Sequence, residues 1–267
     1  MSENVKNREV LKHCNRIVVK VGSKVLVQES GIPDRDNMQN IVDELSFFQN
    51  KGNEMALVSS GAIGSGLEAL RIKNRPDDIT DLQMAAAVGQ LRLISIYDDL
   101  FGAKECAIGQ ILLTHDVLNN KEQHMNAQNT LLSLISHKII PIINENDTVS
   151  TEEIKFGDND VLAALVAILI GADALILLTA IDGLKKSLSD NKTERISIVE
   201  EVNDAIFSHV KDVKDNLSSG GMTSKLQSAQ LATSKGIPVV IADGRKKDVL
   251  KNILNGNDEG TFLVPVK

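Results

Sequence analysis

In IIPIINENDTVSTEEIKFGDNDVLAALVAILIGADALILLT (Ile139–Thr179) an acidic connection joins two strongly apolar segments. A short apolar run, Ile139–Ile143, leads into an acidic stretch holding Asp147, Glu152, Glu153, Asp158 and Asp160. Next comes one of the most apolar segments of the chain, which Gly171, Ala172 and Asp173 split into a short helix and a strand, Ala174–Thr179. Neither half approaches the roughly 20 apolar residues of a membrane span. Strand, helix, strand is the repeating unit of a parallel sheet. Three readings of the acidic connection compete: a calcium loop, a solvated turn, or a pocket for something cationic.

Outward from this unit the pattern repeats. Ile17–Val21, Met55–Ser59, Ala107–Leu113, Ile237–Ala242 and Phe262–Val264 read as further buried strands. Asn37–Gln49, Leu82–Leu100 and Ser224–Ser234 carry helical spacing between them. The polar segment Lys185–Arg195 reads as a loop or lid. With 267 residues there is material for one α/β domain or two small lobes. The last strand ends close to Lys267, so no appended domain is expected.

Bulk properties narrow the function. A net charge of -7, one Tyr and no Trp argue against binding nucleic acid or an anionic membrane. Cys14 and Cys106 are too few and too distant for a disulfide framework or a zinc site, and the five histidines show no metal spacing. The polar N-terminus lacks an apolar signal core, so the expected location is cytoplasmic.

Ligands of open α/β sheets bind at the carboxyl ends of the strands. KVGSK (Lys20–Lys24) sets a lysine and a glycine turn, Gly22-Ser23, at one such end, suited to a phosphate. Alone it also reads as an ordinary turn. SSGAIGSG (Ser59–Gly66) opens a helix whose N–H groups could hold an anion, a carboxylate as readily as a phosphate. It has neither the dinucleotide nor the Walker A glycine spacing. SSGGMTSK (Ser218–Lys225) is a second glycine-rich loop, and Lys225 at a helix start opposes the macrodipole unless an anion binds there. GDND (Gly157–Asp160) lacks calcium-loop spacing. Asp158 or Asn159 could cap the following helix, but capping leaves Asn144–Asp147 at a strand end unexplained.

In this order, VVKVGSKVL, LVSSGAIGSG, QMAAAVGQLRL, IGQILLT, IPIINENDTV, EIKFGDNDVLAALVA and GGMTSKLQSA resemble the amino acid kinase family over nearly the whole chain, Ile17 to Val264. The resemblance is to its branch that phosphorylates the γ-carboxylate of L-glutamate with ATP, the first step of proline synthesis. It implies a three-layer αβα sandwich around a mainly parallel sheet, in one domain. An amino-acid-binding lobe would span about 14–172 and an ATP-binding lobe 173–267, without a C-terminal PUA domain. Carried onto matching positions, it puts Lys20 and Lys225 at the transferring phosphates and Asp160 between them as organiser. Ser60, Gly61, Asp147, Asp158 and Asn159 fall on the amino acid. Lys20, Gly22, Ser23, Thr179, Ala180, Ser219, Gly220, Gly221, Met222, Thr223, Ser224 and Lys225 fall on the nucleotide. Mg²⁺ would be held mainly by the ATP phosphates, with no protein metal ligands.

The resemblance also implies a homo-oligomer, dimer or tetramer, and feedback by proline, with Thr148–Phe156 as a plausible gate. Acetylglutamate, aspartate, carbamate or a nucleoside monophosphate are alternative acceptors, and a silent glutamate or proline sensor is the non-enzymatic alternative. Ala180 departs from the family, which has an Asp there, leaving Asp182 as an open substitute. The family's Tyr and Asp-Pro are also absent from Lys185–Arg195.

Overall fold

The computed structural model describes residues 8–114, 120–150, 159–187, 193–212 and 221–266, with the backbone alone for 209–212. Its frame is an eight-stranded sheet. In chain order the strands are β1 (Arg16–Val21), β2 (Glu54–Val58), β3 (Ile108–Leu113), β4 (Ile140–Glu145), β5 (Ala174–Thr179), β8 (Ile198–Val199), β9 (Val239–Asp243) and β10 (Thr261–Leu263). They lie side by side as β3-β4-β2-β1-β5-β9-β10-β8. The six from β3 to β9 are parallel, and β10 pairs antiparallel with β9. The parallel strands therefore end along one rim: Leu113, Glu145, Val58, Val21, Thr179 and Asp243 in lateral order.

Strand alternation sends side chains to two separate cores. From β1, Ile17, Val19 and Val21 enter one core, while Val18 enters the other. From β5, Ala174, Ile176 and Leu178 follow the first group, and Leu175 and Leu177 follow the second. The first core is closed by α2 (Arg35–Asn50), α3 (Ala62–Ala69), α4 (Ile79–Gly102) and α9 (Val249–Leu254). A four-residue turn of helix, α1 (Ser23–Leu26), belongs to the same side. The second core is closed by α5 (Lys121–Ser136), α6 (Asp160–Ile170) and α8 (Gly221–Thr233), with α7 (Asp204–Asp212) packed at its edge. Helices on both faces of a mainly parallel sheet make the three-layer αβα sandwich that the sequence implies.

Local chemistry sets the helix ends. Asp34, Asp78 and Asn120 cap α2, α4 and α5 by accepting from backbone N–H groups of the first turn. Gly171 ends α6 in the left-handed conformation at φ +62°, which lets the chain turn directly into β5. No helix among the described residues is long and apolar enough to cross a membrane.

Three sequence readings change. Both described ends of the polar Lys185–Arg195 segment form strands, β6 (Lys185–Ser187) and β7 (Thr193–Arg195), paired antiparallel. Lys186 faces Glu194 directly and ion-pairs with it at 2.9 Å, so cross-strand charge pairing stands in for an apolar pattern. The glycine-rich segment is already helical from Gly221, leaving Gly221–Ser224 in the first turn of α8. Helix α5 has only a weakly apolar pattern, with Leu131 and Ile135 its buried residues, which hid it from periodicity.

Candidate active site

Period-two alternation puts Lys20 on the same face of β1 as Val18, toward the core closed by α6 and α8. Its ammonium is buried and meets Asp160, the first residue of α6, at 2.7 Å from Oδ1. Lys225, in the first turns of α8, meets the other oxygen, Oδ2, at 2.8 Å. The Lys225 ammonium also donates to the Gly221 carbonyl at 3.1 Å. Ser228, one turn on, donates to the Asp160 carbonyl at 2.6 Å and ties α8 to the head of α6. Two ammonium groups thus share one carboxylate at the rim. Withdrawing such charges from water is costly unless they are paired and satisfied.

The neighbouring turns leave room beside these lysines. A Cβ on Gly22 would stand 3.8 Å from the Lys20 Nζ, and one on Gly221 3.8 Å from the Lys225 Nζ. Gly22 donates its N–H to the Leu178 carbonyl at 2.9 Å, pinning the β1 end to β5, and Ser23 opens α1. Met222, Thr223 and Ser224 follow Gly221 in the half-buried first turn of α8.

One peptide bond back from Asp160 stands Asn159, buried completely. It is the N-cap residue of α6, yet its side chain makes no capping bond. Its Nδ2 donates instead to the Ser59 carbonyl at 2.7 Å and to Asn144 Oδ1 at 2.6 Å. Ser60 Oγ lies 3.5 Å from that nitrogen. The capping role expected of Asn159 is replaced by a bridge between the β2 and β4 ends. Gly61 follows at φ +93° as the N-cap of α3, and a Cβ there would also meet Val27 Cγ2 at 2.7 Å, so the turn demands glycine.

Asp147 lies two residues beyond β4 and is buried, with Oδ1 lacking a hydrogen-bond partner among the described residues. Burial, helped by the nearby Glu145 carboxylate, pushes its carboxyl up to about 7 against the opposing pull of Arg75. Asp158, Ser219, Gly220 and most of the proposed gate, residues 151–156, lie outside the described residues.

Thr179 ends β5 on the same rim, opposite Asp243 in register. The Ala180 carbonyl accepts from Arg245 Nη2 at 2.7 Å. Asp182 pairs with Lys185 at 3.4 Å on the exposed side. Asp243 holds the Arg245 guanidinium through Nε at 2.9 Å and Nη2 at 2.7 Å, and that bonding keeps its carboxyl below the usual range despite partial burial. The acid beside the Thr179 strand end is thus Asp243, which sequence reading passed over.

The profile of the amino acid kinase family matches residues 15–243. The chain belongs to the amino acid kinase family. A glutamate 5-kinase of Clostridium acetobutylicum is 45% identical over 257 residues, covering 96% of each chain. A glutamate 5-kinase of Clostridium perfringens is 41% identical over 266 residues, 97% of this chain and 99% of that one. Among solved structures, the UMP kinase of Bacillus anthracis superposes with a TM-score of 0.63 over 95% of this chain and 97% of its own. At 15% identity that likeness speaks for the fold alone. The amino acid kinase match contains every residue of the Lys20–Asp160–Lys225 triad and of the Asn159 bridge.

Residues that sequence reading missed here are Gln90, Tyr97 and Ser228, besides Asp243 and Arg245. Gln90 accepts from Asn144 Nδ2 at 2.7 Å, and the buried Tyr97 hydroxyl sits 3.1 Å from Ser59 Oγ. Both lie on α4, on or beside its buried Leu82, Ala85, Ala86, Gly89 and Leu93 face. A polar side chain recurring at that spacing was the available signal.

Proposed function

We propose that this chain transfers the γ-phosphoryl group of ATP to the γ-carboxylate of L-glutamate, giving L-glutamyl 5-phosphate and ADP, the first step of proline synthesis. The observation that carries the reading is the adjacency of Asn159 and Asp160. One belongs to an acceptor-rich cup at the β2 and β4 ends, and the other holds both lysines. An amino-acid end and a phosphate end meet at one peptide bond. The glutamate 5-kinases to which the chain is similar support the same acceptor.

The chemistry follows from the groups present. A γ-carboxylate is ionised at neutral pH, its reference value being near ~4.3, so no general base is needed. One carboxylate oxygen attacks Pγ while the bond from Pγ to the β–γ bridging oxygen breaks, and ADP leaves with that electron pair. Lys20 and Lys225 neutralise charge on the moving phosphoryl group, and Asp160 keeps both ammonium groups aimed. Asn159 Oδ1 and Asp147 accept from the α-ammonium of glutamate. Ser60 and the N–H groups beyond Gly61 at the head of α3 take a substrate carboxylate. Gly22, Ser23, Thr179, Ala180 and Gly221–Lys225 border the nucleotide. About 14–172 then forms the amino-acid lobe and 173–267 the nucleotide lobe of one domain.

Among the described residues no three His, Cys, Asp or Glu side chains form a metal cage, and both Asp160 oxygens face lysines. Mg²⁺ would arrive with ATP, and when bound it would supply further neutralisation of phosphate charge. The free, buried thiols of Cys14 and Cys106 support a cytoplasmic setting. Family resemblance extends the reading to a homo-oligomer with proline as feedback inhibitor.

Steady-state turnover with Mg·ATP and hydroxylamine tests the proposal by trapping the acyl phosphate. ADP release is compared across L-glutamate, acetylglutamate, aspartate, carbamate and nucleoside monophosphates; L-glutamate is expected to be preferred, with its acyl phosphate recovered as the hydroxamate. Preference for another acceptor, or glutamate binding without ADP release, overturns it.

A further inference from the structure

The orientation of the Asn159 amide is fixed by backbone groups. Its Nδ2 donates to the Ser59 carbonyl at 2.7 Å, and a carbonyl oxygen only accepts. Asn144 is fixed in the same way, because its Oδ1 accepts from the Glu145 N–H at 2.9 Å. Its nitrogen must then point the other way, and it donates to Gln90 Oε1 at 2.7 Å. The Asn144 oxygen is left to receive Asn159 Nδ2 at 2.6 Å. Two backbone anchors thus remove the usual ambiguity of amide side chains along the whole row.

What the row leaves over is Asn159 Oδ1, buried and without a hydrogen-bond partner among the described residues. An oriented, buried acceptor beside the lysine triad awaits a donor. We infer that Gln90 is a positioning residue for the amino-acid substrate: through Asn144 it holds the Asn159 amide with its oxygen turned toward the substrate α-ammonium. The inference rests on the glutamate reading and deepens it. Gln90 does not touch the substrate.

Its reach depends on α4 lying close against α3. Gly89 sits where a Cβ would collide with the Ala62 carbonyl, so the two helices meet backbone to backbone one residue away from Gln90. Without an acceptor at 90, the buried Asn144 nitrogen loses its partner. Turning that amide over would set two N–H groups face to face between Asn144 and Asn159 and release the Asn159 oxygen from its aim.

Gln90→Met keeps the length of the side chain and removes the acceptor, while Gln90→Glu keeps an acceptor. Glutamate and Mg·ATP kinetics and thermal melting are compared for the full chain and both variants. Gln90→Met is expected to raise the glutamate KM about tenfold, as loss of a substrate-orienting contact would. The ATP KM stays unchanged, Tm falls modestly because the buried Asn144 donor loses its acceptor, and Gln90→Glu recovers most of the loss in glutamate KM. A glutamate KM within about twofold of the unaltered chain in Gln90→Met overturns the inference. Equal defects in the two variants, or a parallel rise in the ATP KM, overturn it as well. Failure of the unaltered chain to yield hydroxamate overturns the glutamate reading itself, and that result involves no variant.

Discussion

Gly89 and Ala62 meet so closely that a Cβ on the glycine would stand 1.8 Å from the Ala62 carbonyl oxygen. The contact has a counterpart: a Cβ on Gly66 would stand 1.7 Å from the Ala85 carbonyl. Two glycines, one on each helix, let α3 and α4 cross with backbones touching. That crossing carries the Ser59–Gly61 turn and Gln90 toward the same strand ends.

Gly89→Ala should therefore cost stability and substrate binding together. The atoms that block the new methyl are backbone, so no side chain can swing aside, and overpacking of this kind costs about 1–3 kcal/mol or more. Urea unfolding should show a lower midpoint at unchanged slope, and the glutamate KM should rise. An unaltered midpoint would mean that the helices separate freely at this crossing.

The triad predicts opposite balances for its members. Lys20→Met and Lys225→Met each remove one cation and leave Asp160 paired, so both should fold while kcat falls by at least about 10²-fold. Asp160→Asn leaves two buried ammonium groups facing a neutral amide, a loss on the order of 3–5 kcal/mol in comparable buried pairs. That variant should be the least stable of the three as well as slow. Single-turnover kinetics and melting, measured side by side, check the ranking; normal kcat in either lysine variant contradicts its role.

Much of this was legible in the chain because strand-ending motifs and glycines are local signals. The β5 strand coincides with the apolar run Ala174–Thr179, and Lys20, Asp160 and Lys225 are brought together as the ordered motifs imply. Gln90 was legible only as a polar residue beside the apolar face of its helix; its partner is 54 positions away and its meaning depends on a helix crossing. Asp243 was missed for a related reason. Its importance comes from parallel register beside Thr179, which no spacing along the sequence records. The hairpin of β6 and β7 hid behind charged residues that pair across strands.

Asp147 should give glutamate binding a pH dependence of definite sign. Its carboxyl in the folded chain is raised to about 7 by burial and by Glu145, with Arg75 opposing. A raised acid keeps its proton on folding, so the free chain loses stability as pH rises from the ordinary carboxylate range to about 7. Pairing with an α-ammonium requires the ionised form, which makes binding release a proton. The glutamate KM should fall about tenfold from pH 6 to pH 8 and flatten above. Asp147→Asn should raise KM and abolish the slope. A slope that survives in Asp147→Asn would assign the proton elsewhere.

Glu44 makes a separate claim on stability, far from the reacting groups. It is buried on α2, and its Oε2 accepts the Lys251 N–H at 2.9 Å at the head of α9, while Oε1 has no partner among the described residues. Burial pushes its carboxyl up to about 6, with Asp248 adding to the rise and the backbone bonds from Lys251 and Leu250 opposing it. The folded value lies above the unfolded one, so its contribution is full at low pH and is lost as pH climbs through about 6. Glu44→Gln keeps an oxygen for the Lys251 N–H and carries no charge to desolvate. It should stabilise the chain at pH 7 relative to the unaltered protein and leave the two alike near pH 4. Urea unfolding at the two pH values measures this directly, and a gain of equal size at both would place the benefit in packing and not in the carboxylate.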